Sequence, residues 1–480
     1  MAEGRQATLL PLLIAAMAGL AIILGPRAPA MAADPAGRCC ADLEERLDEL
    51  DSTTVRRGNR KVTLKLSGHV NKMLLIWDDG VNDDVYAVDN AGSENLFRMH
   101  GSAHINPSVT AGFSIVVLVL SAESSAVDDR IDANPTENRD GILELNDASF
   151  RLKHEGLGRI TLGRTAPSID DIITIDLSRN PIAGPDPSWS TNFRLVRPQG
   201  TLGCNGAACR TGLATSAIVP GLDSPTGDLI RYDSPTLYGF RLSASWGEDD
   251  LADITLSYKR QWDALRFVAG IGHLWFTDET ESLTRGGGTF VMPCPPPGLG
   301  QPTCIGERRD LEVLAGSTSL MHVPSGLYAN FAAARATFNR GNGQSPLRAS
   351  VFTAPVTGEA AKDAHMWYVQ AGVKRPLLAP ALGHTTLYGE YQAWTNVGVR
   401  KDAGTVTGLP IGSSEITASL AEMWGLGIVQ DIDLPAMKLY GGLRVWELGL
   451  RAATAATAPA GEDIPLEDFY VMALGGRINF

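Results

Sequence analysis

The sequence predicts an all-β protein, a 16-stranded antiparallel transmembrane β-barrel with a short N-terminal periplasmic helix. Three observations predict it. From Lys61 to the end of the chain, apolar and polar residues alternate with the period of two that half-buried strands show. Short turns alternate with much longer loops. Beyond the N-terminus, the sequence contains no run of about 18 apolar residues that would form a membrane-spanning helix.

The composition excludes several classes of protein. The 480 residues are 44% hydrophobic and 20% charged, unlike a long coiled coil or a disordered acidic chain. The formal net charge is −13, whereas a nucleic-acid-binding protein normally carries a basic stripe, so we expect no nucleic-acid partner. The remaining classes are a large soluble β protein and a membrane β-barrel, whose short strands hydropathy does not detect.

Residues 1–32 have the anatomy of a secretory signal peptide. A short polar start precedes the apolar stretch Leu9–Leu24, and Ala30 and Ala32 supply the small residues of a cleavage site. A membrane anchor is the alternative, but the stretch is short and ends in an Ala-x-Ala site. We predict that the mature chain begins at Ala33.

The segment 33–60 is predicted to hold a periplasmic helix. Leu43, Leu47 and Leu50 share one helical face. A helix of about a dozen residues is marginal alone and needs a partner. The barrel domain then spans residues 61–480.

Sixteen strands are predicted in the barrel domain, an even number, as a closed barrel with both ends on one side requires. In the first strand Val62 and Leu64 alternate with Thr63 and Lys65. The β-prone stretch 348–352 is excluded because a seventeenth strand would put a long loop on the wrong side. The predicted strands are 61–79, 95–106, 109–122, 142–154, 158–165, 228–233, 237–246, 253–261, 265–276, 308–320, 327–337, 365–374, 384–395, 415–430, 436–449 and 467–480.

The alternation predicts an apolar outer face and a polar, water-filled lumen. A soluble β-sandwich shows the same alternation with the apolar side inward and is the main alternative. A sandwich rarely exceeds about 250 residues as one unit, and no domain break follows residue 61. Several aromatic residues near strand ends fit the interface girdles of a membrane barrel: Trp77, Trp246, Trp262, Trp275, Trp394, Trp446 and Tyr470.

Short motifs near both ends of the chain carry a family resemblance: Cys39–Leu47, Arg57–Val62, Ser67–Val70, Trp77–Gly80, Leu387–Tyr391 and Gly475–Phe480. These motifs resemble the alphaproteobacterial porins, the general diffusion channels of the outer membrane. The resemblance implies a homotrimer in the outer membrane of a Gram-negative bacterium, in contact with lipid and lipopolysaccharide, that passes small polar solutes and ions. It also implies that the third loop, about residues 166–227, folds into the barrel as a constriction.

The C-terminal strand carries a signal of its own. Tyr470, Met472 and Leu474 share one face of this strand, which ends at Phe480. A terminal aromatic residue on such a strand resembles the insertion signal that the outer-membrane assembly machinery reads. We therefore expect this machinery to be a partner of the chain.

Charges on the third loop and on the wall are predicted to form the pore constriction. Opposed charges would set a transverse field across a narrow water path, which orients dipolar solutes and rejects apolar ones. The alternative is a loop that packs outside as a cap while the wall charges are simply hydrated. The sign of ion selectivity is left open. The predicted constriction residues are Arg98, His100, Arg151, Lys153, Arg231, Arg241, Asp170, Asp171 and Asp176.

Six cysteines are too few to form the framework of the fold. Two pairs in Gly/Pro-rich segments are candidates for local disulfides in an oxidising compartment: Cys204 with Cys209, and Cys294 with Cys304. Metal binding is the alternative, but neither pair has a nearby His or a second Cys pair. The adjacent Cys39 and Cys40 would be strained as a mutual disulfide, so their role is left open.

The chain contains no sequence motif of a catalytic, nucleotide-binding or metalloprotease site. We therefore expect a channel without enzymatic activity or cofactor. A barrel enzyme acting on lipids would need a Ser/His pair outside, whereas His69, His100 and His104 are predicted to face the lumen. A structural barrel that tethers the envelope would not need sixteen strands. Paired loop carboxylates such as Asp78-Asp79 have the chemistry of Ca²⁺ ligands, although solvated charges are the favoured interpretation.

Overall fold

The computed structural model describes most of the barrel domain and parts of its loops. The signal peptide, the predicted helix at 33–50 and the stretch 348–352 lie outside the described residues. The described residues are 53–55, 62–127, 143–190, 193–200, 209–215, 218–219, 226–247, 251–276, 282–285, 288–291, 310–339, 359–360, 363–397, 399–401, 413–433, 436–454 and 461–480.

Sixteen antiparallel strands close into a barrel. Each strand pairs with the next one in the chain, and the last pairs with the first from His69–Asn479 to Asp78–Tyr470. Closure pairs the backbone of every strand and leaves no edge, as a bilayer requires. The strands are β1 Thr63–Asp78, β2 Asp83–Asp89 and Leu96–Asn106, β3 Val109–Val119, β4 Leu143–His154, β5 Gly158–Thr165, β6 Gly227–Asp233, β7 Phe240–Gly247, β8 Ala252–Trp262, β9 Leu265–Phe276, β10 Asp310–His322, β11 Leu327–Asn339, β12 Ala364–Arg375, β13 Thr385–Thr395, β14 Ser413–Ile432, β15 Met437–Thr454 and β16 Phe469–Asn479.

The prediction of a 16-stranded barrel is confirmed, with one difference in β2. Residues 80–94 were expected to be a loop, but Asp83–Asp89 pairs with the end of β1 and continues β2. A short 3-10 helix at Ala91–Ser93 interrupts the strand, and the Asn90 side chain accepts a hydrogen bond from the Gly92 N–H at its start. The sequence did not predict Asp83–Asp89 as a strand because the 3-10 helix breaks the alternation of apolar and polar residues.

Short strands and 3-10 turns complete the described structure. Thr53–Val55 pairs with β1, so this part of the predicted helical segment is extended. None of the described helices is long and apolar enough to span a membrane. The short strands are Thr53–Val55, Arg194–Val196, Arg210–Ala214, Ser282–Arg285, Gly288–Val291, Glu359–Ala360, Arg400–Lys401 and Glu462–Ile464; the 3-10 helices are Ala91–Ser93, Ser124–Ala126, Asp170–Ile172 and Ser188–Ser190.

The outer face of the barrel is apolar and exposed. In β1, Met73 and Leu75 point inward and are buried, whereas Leu74 between them points outward. A soluble protein rarely exposes a continuous apolar surface of this extent, so the outer face is the one that meets lipid. Exposed apolar residues on it include Leu74, Phe150, Leu162, Ile230, Leu256, Ile271, Phe331 and Leu426.

The aromatic residues predicted to form girdles divide into two groups. The strand registers give an outward position to Trp246, Trp262, Trp275 and Tyr470. The girdle prediction is wrong for the inward group, Trp77, Trp394 and Trp446, which are buried inside the barrel. Their inward positions do not meet water, because the third loop covers much of this wall.

Candidate pore lumen

Basic side chains from β1 to β7 line one side of the lumen. The strand registers place these residues on the inward face, with Lys65 opposite His100 and Lys153 opposite Arg159. Lys65 and the basic residues around it were brought together by strand pairing rather than by nearness in the sequence. Together they are named the basic band: Lys65, Arg98, Arg151, Lys153, Arg159, Arg231 and Arg241.

The Asp233 carboxylate holds two arginines of the basic band in place. Arg159 donates to Asp233 Oδ2 from Nε at 3.0 Å and from Nη2 at 2.6 Å. Arg231 Nε donates to Oδ1 at 3.2 Å, and Ser243 Oγ donates to the same oxygen at 2.7 Å. Hydrogen bonds between ionised groups fix the orientation of both guanidinium groups. One carboxylate therefore orders two positive charges.

A second carboxylate, Asp147, faces the lumen from β4. It accepts hydrogen bonds from Ser149 Oγ at 2.8 Å and Thr165 Oγ1 at 2.9 Å, and Arg151 Nη2 lies 3.5 Å away. The two hydroxyl donors fix the orientation of the carboxylate on the wall. Basic side chains of the band outnumber the carboxylates among them, so this wall carries a net positive charge.

The third loop turns into the barrel at its first residues. Ser168 donates from its N–H to Ser245 Oγ at 2.8 Å and from its hydroxyl to Asp253 Oδ1 at 2.9 Å. The Ile169 N–H donates to Asp253 Oδ2 at 2.8 Å. The registers of β7 and β8 place Ser245 and Asp253 opposite each other on the inward face. These contacts place the base of the loop inside the lumen rather than outside as a cap.

Glycines of the wall form grooves for isoleucines of the third loop. A Cβ atom at Gly270 would lie 2.8 Å from Ile172 Cδ1 and 3.0 Å from Ile175 Cδ1. A Cβ atom at Gly442 would lie 2.8 Å from Ile182 Cδ1. A side chain at either position would force the isoleucine beside it to move, so glycine lets the loop lie close against the backbone of the wall.

The middle of the third loop is hydrogen-bonded to β10 and β11. The Leu177 N–H donates to Ser319 Oγ at 3.0 Å, and Asn330 Nδ2 donates to Asp176 Oδ1 at 2.6 Å. The two oxygens of Asp176 also accept from the N–H and hydroxyl of Ser178 at 2.7 and 2.6 Å. The Asp176 carboxylate thus points to the wall and into its own turn.

A buried ion pair fixes the part of the third loop around residue 184. Arg444 Nε donates to Glu390 Oε1 at 2.9 Å, and each side chain is only 1% exposed. Arg444 Nη2 also donates to the carbonyls of Ile182 at 3.3 Å and Gly184 at 3.1 Å. Its guanidinium lies 4.6 Å from the Trp189 ring centroid, within reach of a cation–π contact.

The returning part of the third loop packs on aromatic residues of the wall. The ring of Phe193 lies 5.1 Å from Trp77 and 5.6 Å from Phe469. Beyond it, Arg194–Val196 pairs with Arg210–Ala214 as a small two-stranded sheet. Aromatic pairs at these distances add to the stability that burial alone supplies.

The structure shows where most of the predicted constriction residues lie. Arg98, His100, Arg151, Lys153, Arg231 and Arg241 all lie on the inward face. Asp170 begins the 3-10 helix Asp170–Ile172. The expectation that Asp176 faces the basic wall is wrong, because Asn330 and Ser178 hold its carboxylate.

Several other predictions fall partly or wholly outside the described residues. Cys209 is disulfide-bonded, whereas Cys204, Cys294 and Cys304 lie outside the described residues, as does the side chain of Asp171.

The paired carboxylates at the end of β1 organise a turn: Asp78 accepts from the Gly80 N–H and Asp79 from the Val81 N–H.

Sequence reasoning missed Arg159, Asp233, Glu390 and Arg444 as residues of the lumen. The period of two contained the signal for Arg444, because it shares a face with Tyr440, Gly442 and Trp446 in β15. The sequence contained no signal that Glu390 would lie opposite it, since 54 residues separate the two.

Comparison with known proteins identifies the family. The family model for Gram-negative porins matches residues 21–458. The chain belongs to the Gram-negative porin family. It is a diffusion channel of the outer membrane. A search of curated protein sequences finds no match.

The chain is also similar in fold to solved outer-membrane channels from which it is distant in sequence. An anion-selective porin from Comamonas acidovorans is 14% identical, with a TM-score of 0.49 over 87% of this chain and 100% of the other. OmpF of Salmonella typhi in complex with daunomycin is 12% identical, with a TM-score of 0.46 over 89% and 100%. A loop L8 deletion mutant of OmpT from Vibrio cholerae is 12% identical, with a TM-score of 0.46 over 88% and 100%.

Proposed function

We propose that this porin passes small hydrophilic solutes and ions by passive diffusion, and that the third loop narrows the water path. One observation carries the proposal. The loop lies along the inward faces of β7 to β15: it is hydrogen-bonded to Ser245 and Ser319, and Ile182 packs against Gly442. The exposed side chains of the basic band lie on the inward face of β1 to β7. The water path therefore runs between the loop and the band.

The chemistry of this path favours polar solutes. The third loop has irregular backbone at membrane depth, which is stable only where protein or a water-filled cavity satisfies its polar groups. Exposed Arg98, Lys153 and Arg241 bring charge to the path, and a charged lining rejects apolar solutes because they offer no hydrogen bonds in exchange for water. Diffusion of this kind needs neither a catalytic group nor a cofactor.

We further propose that the mature protein begins at Ala33, assembles as a homotrimer and belongs to the alphaproteobacterial porins. The sequence motifs at both ends of the chain support the subgroup and, through it, the trimer. Phe480 lies at the seam of the barrel, where its N–H and carbonyl exchange hydrogen bonds with Gly68 at 3.0 and 2.8 Å. This position supports its proposed role for the assembly machinery, which would need the last strand to complete the barrel.

Conductance in planar bilayers tests the proposed path. Deleting residues 172–222 should leave a barrel with larger conductance and weaker discrimination among neutral solutes by size, because the loop no longer narrows the lumen. A matched control removes residues 282–291, whose two strands pair with each other in a separate sheet outside the barrel strands. An assembled deletion variant with unchanged conductance would contradict the proposal. Native mass measurement in mild detergent tests the trimer, which a stable monomer would contradict.

A further inference from the structure

The described carboxylates of the third loop are largely used inside the loop itself. Asp176 is held by Ser178 and Asn330, as described above. The Asp186 oxygens accept from the N–H of Ser188 at 3.1 Å and from its hydroxyl at 2.9 Å. Carboxylates that cap turns in this way present less negative charge to the water path.

The charged residues on the covered side of the lumen also lie beside charges of opposite sign. Lys374 lies 3.2 Å from Asp431 and donates to the Ser178 carbonyl at 3.2 Å. Lys438 lies 3.6 Å from the same carboxylate, and Arg444 is paired with Glu390. These charges sit between loop and wall and largely compensate one another there.

The basic band is different, because its positive charges outnumber the carboxylates beside them. Asp147 and Asp233 each lie against arginines of the band, while Arg98, Lys153 and Arg241 are exposed on the inward face. A cleft lined by one sign of charge between low-dielectric walls focuses its field on the solute. The local field can therefore oppose the net charge of −13 on the whole chain.

From this arrangement we infer that the channel selects small anions over cations. The inference rests on the proposed path between the third loop and the basic band. It applies to inorganic anions and to small organic solutes that carry a carboxylate or phosphate. Arginine presents donors in a rigid fork that matches these oxyanions, and Asp233 already holds two such forks in position.

The reversal potential across a bilayer in a KCl gradient measures the sign of selectivity. We expect chloride to permeate at least severalfold better than potassium, because one unit charge about 4 Å away in water changes the local concentration of an ion by roughly fivefold, upward for chloride and downward for potassium. The preference should grow when the salt is diluted from 1 M to 0.1 M, since the Debye length rises from about 3 Å to about 10 Å. Liposome swelling with gluconate, glucose and glucosamine extends the test to organic solutes of one size, and gluconate should enter fastest.

The triple variant Arg98→Gln, Lys153→Gln and Arg241→Gln removes three exposed charges from the path. Its anion preference should fall severalfold while its conductance stays of the same order. Arg260→Gln is the matched control, because Arg260 lies over Trp262 on the outward face, 5.5 Å from the ring centroid; its selectivity should not change.

The outcomes separate this inference from the proposed function. A conducting wild-type channel that prefers potassium, or that shows no preference, overturns anion selectivity and leaves passive diffusion intact. A conducting anion channel whose selectivity the triple variant does not change overturns the role of the band. A correctly assembled protein that conducts no ions overturns the proposed function itself.

Discussion

The two sides of the lumen follow the same alternation of residues but differ in what the inward residues contact. On the side of β1 to β7, inward positions such as Arg98 and Lys153 are exposed. On the side of β9 to β15, inward positions such as Val313, Tyr368 and Trp394 are buried. The first side faces the water path, whereas on the second side the third loop covers apolar residues together with polar groups that are bonded to one another, such as Glu390 and Arg444. Inward side chains in this barrel are therefore exposed to water only where the loop leaves them uncovered.

Among substitutions that test the difference between the two sides of the lumen, Arg444→Met is expected to have the largest effect. The substitution leaves Glu390 buried without its partner, which costs about 3–5 kcal/mol. The third loop should then leave the wall, and its amide hydrogens at residues 182–190 should exchange faster. Hydrogen exchange measures the change, and current noise in bilayers provides a second readout.

A double variant distinguishes the loss of the ion pair from a general packing defect. Arg444→Met with Glu390→Gln removes the buried charge as well as its partner, so it should recover part of the protection at residues 182–190. If the double variant exchanges as fast as the single one, the unpaired carboxylate is not what releases the loop.

A smaller effect is expected when a groove is filled. Gly270→Val places carbon atoms where Ile172 and Ile175 now lie, and overpacking of this kind costs about 1–3 kcal/mol. The loop should shift toward the water path and lower the conductance. Gly389→Ala is the control, because a Cβ atom at this outward position would meet nothing nearer than the Gly425 carbonyl oxygen at 3.8 Å. Equal conductance of the two variants would show that the grooves do not set the loop position.

On the open side, Asp233→Asn should raise the anion preference of the channel. The asparagine keeps a hydrogen-bond acceptor but removes the negative charge between Arg159 and Arg231, so the chloride preference should rise. Arg159 is partly exposed, so water can replace part of its lost interaction, but Asp233 is buried and also bonded to Arg231 and Ser243, so the cost to stability should be about 1–3 kcal/mol. A fall in chloride preference in the KCl gradient would contradict this expectation.

The smallest effect is expected at the rim. Arg335 and Asp363 form an ion pair at 2.5 Å, in which the arginine is exposed and the aspartate partly exposed. Arg335→Gln should change stability by less than about 0.5 kcal/mol and leave conductance unchanged. Thermal unfolding in detergent measures the first and bilayer recording the second. A clear loss of stability or of conductance would show that the difference between the two sides of the lumen extends to the rim.

The sequence predicts the strands and the basic wall because both depend on a local period of two. Lys65, Arg98 and Arg151 could be assigned to the inward face without knowledge of any distant contact. The path of the third loop could not be predicted in the same way. Its contacts join Leu177 to Ser319 and Arg444 to Ile182, residues that are 142 and 262 positions apart.

The same limit explains the wrong prediction for the buried tryptophans. Trp394 and Trp446 lie near strand ends, where aromatic residues of a membrane barrel commonly meet the interface. Their parity in the strand is that of inward residues such as Gln392 and Arg444. The alternation along the strand therefore predicted the facing of these tryptophans better than their position near the strand ends did. No local pattern showed that a loop would cover them.

The closure of the barrel between β1 and β16 has a consequence for the order of assembly. The third loop follows β5, yet it is held by Glu390 of β13 and Arg444 of β15. Once β16 pairs with β1 and Phe480 is bonded to Gly68, the wall is continuous around the loop. The loop must therefore lie within the curved sheet before the seam closes, or enter later through an open end. In the first route it serves as a template against which the last strands find their places.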